Sequence, residues 1–196
     1  MPAFEKAMRY VTDNIAKGRF PDQFFATPKM RSYIGSRVDR RGHVFAGRVR
    51  EELQRLGFST RLEIKLTELG APKQPDLGDV DVLAWRPVEK AVCVIECKSL
   101  TVALTVREIV QRLEEFRGDE KRKDSLGKHI RRTKWLTANR AGVARITGIP
   151  ESDIKVIGLL VCSDLVPMQF FREMHFAPEH VLSFDDLSKV TEIIGV

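Results

Sequence analysis

The 196-residue sequence contains no run of about eighteen apolar residues, the length that a membrane-spanning helix requires. Its first residues also lack the continuous apolar stretch of a signal peptide. These two absences exclude membrane-spanning classes and predict a cytoplasmic protein with no membrane partner. The hydrophobic fraction of 43% is nevertheless sufficient for an ordinary buried core.

Cysteine is scarce as well, with three residues in the whole chain, which is an odd number. Cys93 and Cys97 are four strand positions apart, or about 13 Å at 3.3 Å per residue, which is too far to chelate one zinc ion together. We therefore expect Cys93, Cys97 and Cys162 to be reduced core residues rather than a disulfide framework. The sequence also has no phosphate-cradling glycine loop, no internal repeat and no low-complexity tract, which argues against an NTPase motor.

Positive charge is abundant and unevenly distributed. The net charge is +6, with eleven Lys/Arg against four Asp/Glu over residues 1–50 and ten against three over residues 117–145. The two basic segments flank a more acidic middle part. This distribution favours binding of a polyanion such as nucleic acid, whose backbone the basic segments would hold while one phosphate reacts at the middle part. The alternative is that the basic residues only keep the surface soluble.

Two apolar, strand-like runs with charged residues inside them follow each other in that middle part. They cover residues 78–85 and 91–98, and Pro87 with its neighbours marks a turn between them. A four-residue loop is a common hairpin length, and here it sets Arg86 opposite Ala91.

This register gathers four charged side chains on one face of the predicted hairpin. It sets Asp81 opposite Glu96 and Asp79 opposite Lys98, whereas a slip of one residue would scatter them onto both faces. Charged groups are rarely buried without a partner, so the two carboxylates predict a bound cation. Mg²⁺ typically takes one or two protein carboxylates and keeps several waters. The alternative is a surface hairpin with ion pairs on its polar face.

Roughly residues 42–165, in which helices flank this hairpin, resemble the PD-(D/E)xK nuclease superfamily, whose fold is that of restriction endonucleases. The resemblance implies that Asp81 and Glu96 hold the metal, that the backbone carbonyl of Cys97 completes the metal ligands, and that Lys98 acts in hydrolysis. Pro75-Asp76 spells the literal dipeptide of the family, but Asp76 lies outside the apolar strand, so we assign the role to Asp81.

The resemblance also implies accessory residues, with one departure. Many members carry a glutamate on the first helix, at a position that Ala46 occupies here, and Glu51 or Glu52 lies about a turn and a half later. Glu52 is therefore a candidate accessory residue, as are Asp79 beside the site and Gln111 on the helix that follows the hairpin.

The pattern of the remaining chain predicts an α/β (α+β) fold, a mixed sheet of four to five strands flanked by helices. We expect an N-terminal helical and basic appendage over residues 1–41, with a basic loop at 37–41, followed by a nuclease-like domain over 42–196. A helix at about 106–117 is expected to bury a stripe of apolar residues: Val106, Ile109, Val110, Leu113 and Phe116. A long helical segment at about 128–147 carries the residues predicted to contact nucleic acid: Lys128, His129, Arg131, Arg132 and Lys134.

These features together predict a metal-dependent nuclease that hydrolyses phosphodiester bonds, with Mg²⁺ as cofactor and Mn²⁺ as a substitute. Double-stranded DNA is the expected substrate, in restriction, repair or phage defence. A homodimer is among the expected arrangements, because cutting both strands commonly requires two active sites. Two alternatives remain open: a catalytically silent nucleic-acid-binding module with the same fold, and a scaffold of this fold that binds other proteins.

Overall fold

The structure, a computed structural model, describes residues 2–16, 27–73, 77–100, 102–118, 124 and 126–195. The chain divides into two compact units, Met1–Val44 and Phe45–Val196. The first unit contains the N-terminal helix and the beginning of the next helix, and the second contains the rest of that helix and everything that follows. The dipeptide Pro75-Asp76 lies outside the described residues.

The described residues form the helices and strands of an α+β fold, as the sequence predicts. The helices are α1 (Pro2–Ala16), α2 (Pro28–Arg55), α3 (Val106–Glu115), α4 (Gly127–Ala138), α5 (Ala141–Thr147) and α6 (Val190–Ile194). The strands are β1 (Ser59–Lys65), β2 (Asp79–Arg86), β3 (Ala91–Lys98), β4 (Lys155–Cys162) and β5 (Val181–Ser183).

The five strands form one mixed sheet in the order β1-β2-β3-β4-β5. The pairs β1–β2 and β2–β3 are antiparallel, whereas β3–β4 and β4–β5 are parallel. The connection from β3 to β4 runs through α3, α4 and α5, as a parallel pair requires a long crossover. Because β3 and β4 are parallel, their carboxyl ends meet at one edge of the sheet, and Lys98 lies at that edge beside Cys162.

The sheet is covered on both faces, which explains why β3 is almost entirely buried despite its charged end. One apolar cluster joins the last part of α2 to side chains of the sheet and of α6, including Leu53, Ile95 and Ile194. A second cluster packs Leu136 of α4 and Val143 of α5 against the opposite side of β2 and β3. Within the described part of the chain, no helix is long and apolar enough to cross a membrane.

Three expected elements differ in the structure. Residues 37–41 are helical, because α2 starts at Pro28 and runs to Arg55 without another proline to end it. The expected helix over 128–147 is two helices, α4 and α5, separated by residues 139 and 140.

The third difference concerns α3, which has no buried residue. Val106 is 77% exposed and Val110 49% exposed, while Phe116, directly after the helix, is buried at 3% exposure. Only the end of the expected stripe is packed, because Leu113 is half-buried against a third apolar cluster that contains Phe116 and Leu160 of β4.

Candidate active site

The hairpin of β2 and β3 has the register that the sequence predicts. Arg86 pairs with Ala91 and the ladder continues to the pair Val82–Ile95. The connection is the expected four-residue turn, in which Lys90 adopts a positive φ of 55°.

The two strands part at the site itself, which corrects the expected pairing of Asp81 with Glu96 and of Asp79 with Lys98. The ladder ends before Asp81, and the Asp81 carboxylate instead accepts a hydrogen bond of 2.7 Å from the backbone N–H of Cys97. On the neighbouring strand, Glu63 adopts a positive φ of 50° between the pairs that Leu62 and Ile64 make with β2. The Asp81 side chain thus accepts a hydrogen bond from β3 where the backbone ladder between β2 and β3 has ended, which keeps Asp81 beside the end of β3.

Glu96 is the centre of the charged cluster. Its residue exposure is 7%, and each of its carboxylate oxygens contacts a different cation. The Lys98 Nζ atom lies 2.8 Å from Oε1, and the Arg132 Nη1 atom lies 2.8 Å from Oε2. The structure therefore brings together Asp81, Glu96 and Lys98, and it adds Arg132 of α4.

The position of Arg132 differs from the prediction that it contacts nucleic acid. Arg132 is only 4% exposed, and its Nε atom donates a 3.0 Å hydrogen bond to the carbonyl of Leu77, in the segment before β2. A sequence signal for this burial exists, because Arg132 is four residues before Leu136 and such residues share a helix face. Leu136 is fully buried, so that face points into the core.

The environment of the two carboxylates drives their pKa values in opposite directions. Burial and then the negative charge of Glu96 raise the pKa of Asp81 to about 6 from 3.8. Burial also acts to raise the pKa of Glu96, but Lys98 and Arg132 outweigh it and lower that pKa. Burial opposes the charge of Lys98, yet Glu96 outweighs burial and raises the Lys98 pKa, so Lys98 is an ammonium group at neutral pH.

All three cysteines are reduced and buried, as the sequence predicts. Burial raises the thiol pKa of Cys93 and of Cys162 to about 12, and burial together with Asp81 raises that of Cys97 well above its usual value of 9.0. A thiol is a poor nucleophile until it ionises, so the side chain of Cys97 offers no reactive thiolate beside the carboxylates.

The predicted accessory residues make their contacts elsewhere. Glu52 pairs with Arg55 of the same helix at 2.7 Å, and Gln111 donates a 2.8 Å hydrogen bond to Glu115 of α3. Ala46, at the position where many relatives of the resembled superfamily have a glutamate, is 5% exposed and belongs to the core. Asp79 is exposed at the start of β2, opposite Lys65 of β1.

His129 also differs from the prediction that it contacts nucleic acid, because it is completely buried. Neither of its ring nitrogens has a hydrogen-bond partner among the described protein groups, and Phe176 lies against the ring edge to face at 5.7 Å. Burial lowers the pKa of His129 to about 4, although Glu96 acts in the opposite direction. The close packing needs Gly158 of β4, where an added Cβ would lie 2.8 Å from Thr133 Oγ1 and 3.2 Å from His129 Nε2.

Replacing His129 with leucine should reduce the acid sensitivity of the fold. A pKa lowered to about 4 from 6.5 means that stability is lost as pH falls through this window, because the unfolded chain binds the proton first. The cost at pH 5 is about 2 kcal/mol relative to pH 8, and the leucine variant should lack it. Urea unfolding of both proteins at pH 5 and pH 8 measures the free energy of unfolding. A leucine variant that loses as much unfolding free energy between pH 8 and pH 5 as the wild-type protein would contradict the buried, neutral state of His129.

The remaining predicted nucleic-acid contacts stay accessible on α4. Lys128 and Arg131 are half-buried and Lys134 is exposed. Lys128 packs over the backbone before β2, since a Cβ added at Gly78 would lie 2.8 Å from its Cε atom. One side of α4 thus supplies Arg132 to the site, while Arg131 and Lys134 lie on a different face.

A family model for Upx-like anti-phage proteins matches residues 1–188, which is nearly the whole chain. The chain belongs to the Upx-like anti-phage family. No curated protein and no solved structure matches it. The charged cluster at the end of β3 thus lies in a member of a family that is described as anti-phage.

Proposed function

We propose that this member of the anti-phage family is a metal-dependent nuclease of the PD-(D/E)xK type that cleaves DNA. One observation carries the proposal: Asp81, Glu96 and Lys98 lie together at one end of the β2–β3 hairpin, partly or fully buried and in mutual electrostatic contact. A buried group of two carboxylates and a lysine is costly to fold and is typical of a functional site.

The donor set at this site fits a hard divalent cation. The pKa of Asp81 is raised by burial and by Glu96, so its negative charge is not fully compensated by the groups around it. Among the described residues no group of three or more His, Cys, Asp and Glu side chains forms a metal site. With only two carboxylates, Asp81 and Glu96, and the carbonyl of Cys97, the site would hold Mg²⁺ largely through water ligands, and this ion commonly takes one or two protein carboxylates. When bound, Mg²⁺ would polarise the phosphoryl group and lower the pKa of a bound water.

Lys98 would act in this nuclease as a positively charged hydrogen-bond donor rather than as a general base. Its raised pKa keeps it protonated, and its Nζ atom already lies 2.8 Å from Glu96 Oε1. A half-exposed ammonium group at the edge of the sheet can orient an attacking water and stabilise negative charge on a phosphate oxygen. Glu96 would hold the ammonium group in place.

A catalytically silent nucleic-acid-binding module is the second candidate. The observation that favours it is that both carboxylate oxygens of Glu96 are already paired with cations. A site neutralised in this way can hold its structure without a metal, and the basic residues of α4 would then provide the binding surface.

DNA degradation with and without metal separates the two candidates. Plasmid and linear DNA are incubated with the protein in Mg²⁺, Mn²⁺, Ca²⁺ or chelator, together with single-stranded, branched and methylated substrates. We expect products with Mg²⁺ and Mn²⁺ but not with Ca²⁺, and none from the matched Asp81→Asn variant. Retention of DNA without cleavage under every condition would favour the silent module instead.

The accessible face of α4 should hold the DNA backbone without reading bases. Replacing Arg131 and Lys134 together with alanine should weaken binding about equally for unrelated sequences, because phosphate contacts carry no sequence information. Each lost phosphate contact should lower the slope of log affinity against log salt by about 0.9. The control is Arg55→Ala, which removes an exposed charge from α2. A loss confined to one sequence would show that these residues contact bases.

A further inference from the structure

Arg132 is buried in contact with Glu96, which is one of the two proposed metal ligands. A metal ligand needs a carboxylate oxygen that is open to the metal, yet Glu96 Oε2 accepts from Arg132 Nη1 at 2.8 Å. The side chain of Arg132 is 5% exposed and that of Glu96 is 10% exposed, so water screens this pair weakly.

The guanidinium of Arg132 connects three elements. It extends from α4, binds Glu96 at the end of β3, and donates through Nε to the carbonyl of Leu77 at 3.0 Å. Its Nη2 atom also lies against Gly78, 3.3 Å from where a Cβ would stand. Planar guanidinium groups suit such multiple contacts, and a lysine has no fork with which to make them.

We propose that Arg132 is a resident counter-cation of the site, which occupies Glu96 in the metal-free protein and thereby weakens the binding of a divalent cation to Asp81 and Glu96. The inference rests on the proposed metal-dependent nuclease and adds regulation of the same site. Buried carboxylates without a partner are strongly destabilising, so Arg132 keeps Glu96 compensated while no metal is present. The same positive charge repels an incoming cation at close range in a poorly screened environment.

The test measures Mn²⁺ binding to the 196-residue protein in the absence of DNA, from the electron paramagnetic resonance signal of free Mn²⁺. The variant Arg132→Met removes the charge and keeps most of the side-chain volume. We expect it to bind Mn²⁺ about tenfold more tightly than the wild-type protein, or better. The matched control, Arg131→Met, removes the same charge from the next position of α4, on a different face of the helix, and should keep the wild-type affinity within about twofold.

Every result of this titration is informative. Equal or weaker binding by a folded Arg132→Met protein would overturn the counter-cation role, and weaker binding would leave Arg132 as a purely structural support. Equal tightening in Arg131→Met would also overturn it, since the effect would then reflect net charge. Mn²⁺ uptake by neither protein would overturn the metal site and, with it, the proposed nuclease.

A second variant covers the case in which Arg132→Met does not fold. Arg132→Lys keeps the charge but cannot contact Glu96 and the Leu77 carbonyl at once. We expect Mn²⁺ binding a few-fold tighter than in the wild-type protein, because a single flexible contact competes less well than the fixed guanidinium. Wild-type or weaker affinity in Arg132→Lys would overturn the proposal.

Discussion

Replacing Lys98 with alanine should slow single-turnover DNA cleavage by about 10²–10⁴, the usual range for a positioned proton-transfer or charge-stabilising group. The ammonium group lies at the edge where β3 ends, is held by Glu96 at 2.8 Å and is 33% exposed in its side chain, so it can reach a substrate. Binding of DNA and of metal should change little, because Asp81, Glu96 and the accessible residues of α4 remain.

Lys90 provides the matched control for this experiment. It lies in the turn at the opposite end of the same hairpin and pairs with Asp153 at 2.8 Å, so Lys90→Ala removes a more exposed ion pair at the far end of β3 from the site. Rapid mixing of excess enzyme with labelled DNA measures the cleavage step for both variants. A folded Lys98→Ala protein that cleaves at the wild-type rate would remove Lys98 from the mechanism. A rate that falls only with the folded fraction would make the lysine a structural ion pair.

Replacing Asp81 with asparagine should abolish metal binding and DNA cleavage and yet stabilise the metal-free protein near neutral pH. Asparagine keeps an oxygen that can accept the 2.7 Å hydrogen bond from the Cys97 N–H, but it carries no charge. Because the folded pKa of Asp81 is about 6 and its usual value is 3.8, the stability present at low pH is lost as pH rises through this window. Removing the carboxylate should therefore stabilise the apo protein by about 1–3 kcal/mol at pH 7.

Two measurements check this prediction separately. Titration calorimetry with Mn²⁺ should show binding to the wild-type protein and none to Asp81→Asn, and denaturant unfolding in chelator at pH 4 and pH 7 should show a stability gain only at pH 7. Asp79→Asn is the control, since Asp79 is exposed and two residues away on the same strand. Unchanged Mn²⁺ affinity in Asp81→Asn would exclude Asp81 from the metal site, and an equal gain at both pH values would contradict the raised pKa.

The hairpin that carries the site could be read from the sequence because its determinants are local. Loop length fixes the register once two apolar runs are recognised, and the pairs from Arg86–Ala91 to Val82–Ile95 follow from it. The position of Glu96 and Lys98 on a common face follows from the alternation of side chains along a strand. The predicted mixed sheet of four to five strands has five, and the cysteines predicted to be reduced core residues are free and buried.

Tertiary packing decided what those local rules leave open. Asp81 leaves the β2–β3 ladder and accepts a hydrogen bond from the backbone N–H of Cys97, and neighbouring β1 is distorted at Glu63. The apolar stripe of α3 is exposed over its first turns and packs against a core cluster only at Leu113 and Phe116, although its periodicity is that of a buried helix.

The amino-acid sequence by itself determined the fold class, the hairpin register and the identity of the three charged residues at its end, because these depend on neighbours along the chain. Only the tertiary structure decided that Arg132 and His129 are buried behind Glu96 while Arg131 and Lys134 face away. Arg132 and Glu96 are 36 residues apart in the chain. Their contact depends on how α4 is rotated against β4, and Gly158 permits that close packing because it has no side chain.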